Sequence, residues 1–191
     1  MKNKNLILAS ASPRRAELMK DMQIAFTCIP SCVEEHMDET LPVEKAIEQL
    51  ALQKAQDVFE KHQDAIVIGS DTMVILDKKR LGKPKDANEA KEMLRQLSGN
   101  THQVVTGVAI LYDNQKILFH ECSNVTFYDL DEEQIDWYIQ TKEPFDKAGS
   151  YGIQGYGKLF VKEIKGDYFN IVGLPVAKLY RTLQNIKKTQ M

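Results

Sequence analysis

Short apolar runs alternate along the chain with longer segments in which apolar residues recur every three or four positions, the signatures of strands and helices respectively. Residues 6–9, Leu-Ile-Leu-Ala, read as a short strand leading into Ser12-Pro13, a natural N-cap followed by a natural first helical residue. Leu18, Met19 and Met22 recur on one side of the helix this opens, and a second strand is expected near residues 24–29. The clearest periodic element is residues 42–61, where Val43, Ile47, Leu50, Ala51, Ala55 and Val58 share one stripe. Lys54 falls inside that stripe. Its stem should point toward the core, and its ammonium needs a reason to be there.

Residues 65–69 read as a buried strand that breaks at Gly69-Ser70-Asp71-Thr72, resumes over 73–76 and turns at 77–79. Asp86-x-x-Glu89 resembles a capping box. It opens a helix carrying Ala90, Met93, Leu94 and Leu97, which Ser98-Gly99 closes. Strands over 103–112 and 117–128 flank a turn at 113–115 and predict a hairpin. A helix follows over 132–140. Residues 141–157, with four glycines among polar residues, form a structured loop of a length that usually marks function. A strand over 158–164 and a final helix from Pro175 to about residue 186 complete the chain. The pattern predicts an α/β fold, a mixed sheet with helices packed on it, in one domain spanning residues 1–191.

Composition narrows the function classes. A chain of 191 residues buries roughly 70% of its unfolded surface, and 43% hydrophobic with 27% charged residues is ordinary for a globular protein. With 25 Lys+Arg against 27 Asp+Glu there is no overall positive field, so neither nucleic acid nor a membrane surface is an expected partner; any polyanion must be met locally. Apolar runs fall far short of the roughly 20 residues of a membrane span, and residues 2–10 are too short and polar for a signal peptide, so the expected location is cytoplasmic. Cys28, Cys32 and Cys122 lack paired spacing and read as reduced and passive. His36, His62, His102 and His120 show no ligand spacing. No Gly-x-x-x-x-Gly-Lys-Ser/Thr, Gly-x-Gly-x-x-Gly or Gly-x-Ser-x-Gly motif is present, which argues against P-loop enzymes, dinucleotide oxidoreductases and common serine hydrolases.

Candidate chemistry lies elsewhere. The strand-to-helix turn from Ser10 to Arg15 offers unpaired backbone N–H groups, a positive dipole end and two guanidinium forks, Arg14 and Arg15, suited to phosphate oxygens. Asp71 stands at the end of an apolar strand, where open α/β sheets put their ligands, and could bind metal or take a proton from water. Glu34 or Glu35, from a separate segment, could complete a Mg²⁺ or Mn²⁺ site with Asp71. Lys54 and Lys83 supply further cations.

The ordered set Leu8-Ala9-Ser10-Ala11-Ser12-Pro13-Arg14-Arg15, Glu34-Glu35, Gln53-Lys54-Ala55, Gly69-Ser70-Asp71-Thr72, Gly82-Lys83-Pro84 and Lys142-Glu143-Pro144 through Gly155 closely resembles the Maf family across nearly the whole chain. The strongest single segment is Asp146-Lys147-Ala148-Gly149-Ser150-Tyr151-Gly152-Ile153-Gln154-Gly155. The resemblance implies a fold like that of inosine triphosphate pyrophosphatases, two lobes around a cleft, often as a dimer. It also implies metal-dependent hydrolysis of a nucleoside triphosphate between the α and β phosphates. Asp71 matches the family's proposed proton acceptor, and Arg14, Thr72 and Gln154 match positions associated with base selection. The Tyr-Gly-Ile-Gln-Gly form looks like the branch acting on dTTP and UTP. Ser70 and Ser150 stand where many relatives carry alanine. The resemblance leaves two other roles open: removal of modified pyrimidine nucleotides, and regulation of septum formation through a partner.

Overall fold

The structure is a computed structural model. It describes residues 4–189; residues 2 and 3, which open the stretch too polar for a signal peptide, lie outside the described residues. The element order is β1 (Leu6–Leu8), α1 (Pro13–Asp21), β2 (Thr27–Cys28), α2 (Val43–Phe59), β3 (Ile66–Leu76), β4 (Lys79–Leu81), α3 (Ala87–Leu97), β5 (Thr101–Tyr112), β6 (Gln115–Phe127), α4 (Glu132–Gln140), β7 (Val161–Lys165), α5 (Tyr168–Val172) and α6 (Val176–Thr189), with 3₁₀ turns between α4 and β7. The strands form one mixed sheet in the order β2-β1-β3-β5-β6-β7, with β4 paired to β3. β1 runs parallel to β2 and β3, while β4 and β7 run antiparallel to β3 and β6. The expected α/β class is what the chain adopts, and no helix of the described residues is long and apolar enough to cross a membrane.

Close contacts divide the chain into two compact units: the chain up to Asp71 with Thr106–Glu121 and the part from Gly173 onward, and Thr72–Val105 with Cys122–Val172. The core of the first unit joins Ile7 and Ala9, Ala51, Leu52, Ala55 and Val58 of α2, Val67 of β3, and Ala109 and Leu111 of β5. Two glycines let α2 come down onto the sheet with its main chain. A Cβ on Gly69 would stand 2.1 Å from the Ala51 carbonyl oxygen and 2.8 Å from the Ala55 nitrogen, and one on Gly107 would stand 2.4 Å from the Ile47 carbonyl oxygen. Small residues on the helix, Ala51 and Ala55, complete this contact at Gly69.

Gly69 therefore explains a departure from the sequence reading. Gly69-Ser70-Asp71-Thr72 was expected to break the strand, yet β3 runs unbroken for 11 residues. The glycine serves the helix above it rather than a turn. The turn comes at Asp77-Lys78, both with positive φ (47° and 68°), which closes a tight hairpin into β4 without a glycine.

In the second unit the rings of His102, Phe127, Tyr138, Tyr151 and Phe160 pack edge to face, with centroids 4.8–5.9 Å apart. Tyr151 Oη and His102 Nε2 are 2.8 Å apart, and Nδ1 of His102 has no partner among the described residues. Burial pushes the His102 pKa down to about 4, so this ring is a neutral core group. The 141–157 loop is ordered by side chains, as expected. Glu143 accepts from Tyr138 Oη (2.7 Å) and from the N–H groups of Tyr156 (2.8 Å) and Gly157 (3.3 Å), while Tyr138 Oη accepts from Gly152 N–H (3.0 Å). Other features differ from expectation, and the strand expected near residues 24–29 covers only Thr27–Cys28. The strand expected from residue 158 begins at Val161, because Tyr156–Phe160 coils into a 3₁₀ turn that buries Phe160. The five-residue α5 went unforeseen; it is too short to show a period.

Candidate active site

Parallel pairing of β1 with β3 matches Leu6, Ile7 and Leu8 to Ile66, Val67 and Ile68, and Ala9 N–H adds a bond to the Ile68 carbonyl at 2.7 Å. Past that point β1 leaves the sheet, and β3 continues through Gly69-Ser70-Asp71. Asp71 thus lies just beyond the carboxyl end of β1, the position at which open α/β sheets receive ligands.

The chain leaving β1 folds back at once. Ser10 is buried, and its Oγ accepts from Ser12 N–H (3.2 Å) and from Arg15 Nη1 (3.4 Å). Ser12 caps α1, accepting from Arg15 N–H, and Pro13 opens the helix, as the sequence predicted. The Arg15 side chain turns inward, and its Nε donates to the Gly173 carbonyl at 2.8 Å. Burial lowers its pKa from the usual guanidinium range; Asp71 and Glu35 nearby oppose the shift, while Arg14 adds to it. The four side chains thus share one electrostatic environment. Ser70, fully buried, donates to the same Gly173 carbonyl at 3.2 Å.

At the centre is Lys54. Its side chain is 14% exposed, and Nζ contacts Asp71 Oδ1 at 2.5 Å and Glu35 Oε1 at 3.0 Å. Its place on the buried stripe of α2 brings the stem across the sheet, and the two carboxylates are the reason the ammonium is there. Of the acidic pair, both exposed, Glu35 reaches Lys54. Among the described residues no group of three or more His, Cys, Asp or Glu side chains converges on one point, so Glu34, Glu35 and Asp71 do not form a closed cage.

The first unit therefore gathers Ser10, Arg14, Arg15, Glu35, Lys54 and Asp71. The other candidates belong to the second. Thr72 is half-buried on β3, Lys83 is exposed just after β4, and Gln154 is exposed in the loop that Glu143 orders. Gly149 N–H donates to the Gly82 carbonyl at 3.0 Å, tying that loop to the Lys83 segment. Sequence reading missed two participants. Gly173 lies 103 residues beyond Ser70 and acts through its carbonyl, which no side-chain pattern announces. Gln53 was noted only as part of a motif, yet its amide meets the backbone of His36.

The pattern of known Maf-like proteins matches residues 5–186. Resemblance to solved structures is loose: the Ham1 protein of Staphylococcus aureus aligns with 66% of this chain and 73% of its own at 14% identity and a TM-score of 0.46. Sequence relatives are much nearer. A dTTP/UTP pyrophosphatase of Bacillus cytotoxicus is 53% identical over 181 residues, 95% of each chain. Proteins of the same name from Bacillus velezensis and Halalkalibacterium halodurans are 52% identical over 96% of this chain and 98% of theirs, and 49% identical over 95% of each. Matched to the family pattern from residue 5 to residue 186, and to these relatives along nearly their whole length, the chain belongs to the Maf family.

Proposed function

We propose that this chain is a nucleoside triphosphate pyrophosphatase that hydrolyses dTTP and UTP to the monophosphate and pyrophosphate. The observation that carries the reading is the convergence of Glu35 and Asp71 on Lys54 beside the capped N-terminus of α1. It is supported by proteins named dTTP/UTP pyrophosphatase that match 95% of this chain at 53% and 49% identity.

In this reading Asp71 orients the attacking water and accepts its proton. Lys54 bonds Oδ1 of that carboxylate and so directs Oδ2 toward the water. Arg14, Arg15, the hydroxyl of Ser10 and the first N–H groups of α1 hold phosphate oxygens, and the guanidinium groups with Lys54 offset charge that builds up as pyrophosphate leaves. Two carboxylates from separate segments, both within 3.0 Å of one ammonium, are held where a cation is stabilised, and their hard oxygen atoms fit Mg²⁺ or Mn²⁺. Glu35 and Asp71 would hold the ion, which would supply charge neutralisation at the reacting phosphates. The resemblance matches Arg14 of the first unit, and Thr72 and Gln154 of the second, to positions associated with base selection. The amide of Gln154 offers one donor and one acceptor to a pyrimidine edge.

A coupled pyrophosphate assay across dTTP, UTP, CTP and the purine triphosphates, with Mn²⁺ and with Mg²⁺, tests the reading. Release should be fastest from dTTP and UTP, and Asp71→Asn should lose at least about 10²-fold in kcat with an unchanged circular dichroism spectrum. No release from any triphosphate, or near-full turnover by the Asp71 variant, would overturn it.

A further inference from the structure

Glu35 is the one member of the central trio that comes from no regular element. It belongs to the stretch between β2 and α2, residues 29–42, which contains neither helix nor strand. A carboxylate on such a stretch is a poor partner for a fixed ammonium unless something restrains the backbone on both sides of it, because ordering each free residue has an entropic cost.

Two side chains of α2 provide that restraint. Gln53 donates from Nε2 to the His36 carbonyl at 2.6 Å and accepts the His36 N–H on Oε1 at 3.0 Å, so both ends of its amide engage the backbone of a single residue. One turn further on, Asp57 Oδ2 accepts from Cys32 N–H at 2.8 Å and from Ser31 Oγ at 3.0 Å. Residues 53 and 57 share one face of the helix by their i,i+4 spacing. The pinned positions, Cys32 and His36, bracket Val33, Glu34 and Glu35. That short arc begins and ends on the helix that carries Lys54, and Glu35 Oε1 lies 3.0 Å from its ammonium.

We propose that Gln53 and Asp57 are positioning residues, which clamp the 31–36 segment onto α2 and thereby set Glu35 against Lys54 as a preformed carboxylate of the cation site. The clamp rests on the functional reading above and deepens it: the helix that supplies the ammonium also fixes the geometry of its acidic partner. Groups that orient a ligand to a metal typically contribute 10–100-fold to its affinity.

The test is a titration of the full-length, nucleotide-free protein with Mn²⁺ alone, following free Mn²⁺ by electron paramagnetic resonance. The set comprises wild type, Gln53→Leu, Asp57→Ala, Asp57→Asn, Glu35→Gln and the double variant Gln53→Leu/Glu35→Gln. Gln53→Leu and Asp57→Ala should each weaken Mn²⁺ binding about tenfold. Asp57→Asn, whose amide oxygen still accepts from Ser31 and Cys32, should remain near wild type. The double variant should bind no more weakly than Glu35→Gln alone, because the clamp acts through that carboxylate. Unchanged affinity in Gln53→Leu where Glu35→Gln is weakened, or full additivity in the double variant, overturns the clamp while leaving the metal reading standing. Unchanged affinity in Glu35→Gln overturns the metal reading, and the clamp with it.

Discussion

A half-buried ammonium on the core-facing stripe of a helix and a buried imidazole in an aromatic cluster meet different surroundings. Lys54 meets two carboxylates, Asp71 and Glu35. His102 meets ring edges and one tyrosine hydroxyl, and burial makes its charged form costly. The consequence for stability has a definite sign. Its folded pKa of about 4 lies below the ordinary value of 6.5, so between those pH values the unfolded chain binds the additional proton. Stability then rises with pH across the window and is lost as pH falls from about 6.5 toward 4, by roughly 3 kcal/mol in total. Urea denaturation at pH 7.5 and pH 4.5 should show this loss in wild type and a clearly smaller one in His102→Phe. Equal losses in the two proteins would assign the acid sensitivity to other groups.

At the scale of elements, contact between α2 and β3 governs the site. A methyl group at Gly69 would meet main-chain atoms of Ala51 and Ala55, which cannot swing aside as a flexible side chain would. Gly69→Ala must therefore lift the helix from the strand. Overpacking of this kind costs about 1–3 kcal/mol. Because Lys54 rides on the helix and Asp71 on the strand, a displacement of about 1 Å should also lower kcat by up to about 10²-fold. Thermal melting together with pyrophosphate release from the folded fraction checks both effects; a stable variant with wild-type turnover would show that the helix can yield without disturbing the pair.

Across the whole molecule, the parts legible in the sequence were those with local causes. The stripe of α2 and the inward direction of Lys54 follow from a 3.6-residue period, and the start of α1 follows from the Ser12-Pro13 pair. The 141–157 loop was expected to be ordered, but its organising carboxylate, Glu143, is identified only by bonds to Tyr156 and Gly157, more than ten residues onward. Continuity of β3 was hidden for the opposite reason. Gly-Ser-Asp-Thr has the composition of a turn, and only the approach of a helix from elsewhere in the chain explains its glycine. Gly173 and Gln53 escaped because one acts through a carbonyl and the other through an amide binding to backbone, and neither leaves a pattern of residue types.

The bare contact of α2 with β3 also separates durability from chemistry. Where two elements are spaced by interlocking side chains, any change in the packed layer alters their distance. At Gly69 main chain lies against main chain, and this contact limits how closely α2 approaches β3, beside the side-chain packing of Leu52 and Val58. Leu111→Ala, in the same apolar cluster on β5, should remove about 2–5 kcal/mol of stability and lower Tm, yet leave kcat at 20 °C near wild type. A parallel fall in kcat, measured on fully folded protein, would show that the spacing depends on the side-chain layer after all. An unchanged kcat would mean that a substitution in this side-chain layer alters stability without retuning the reaction.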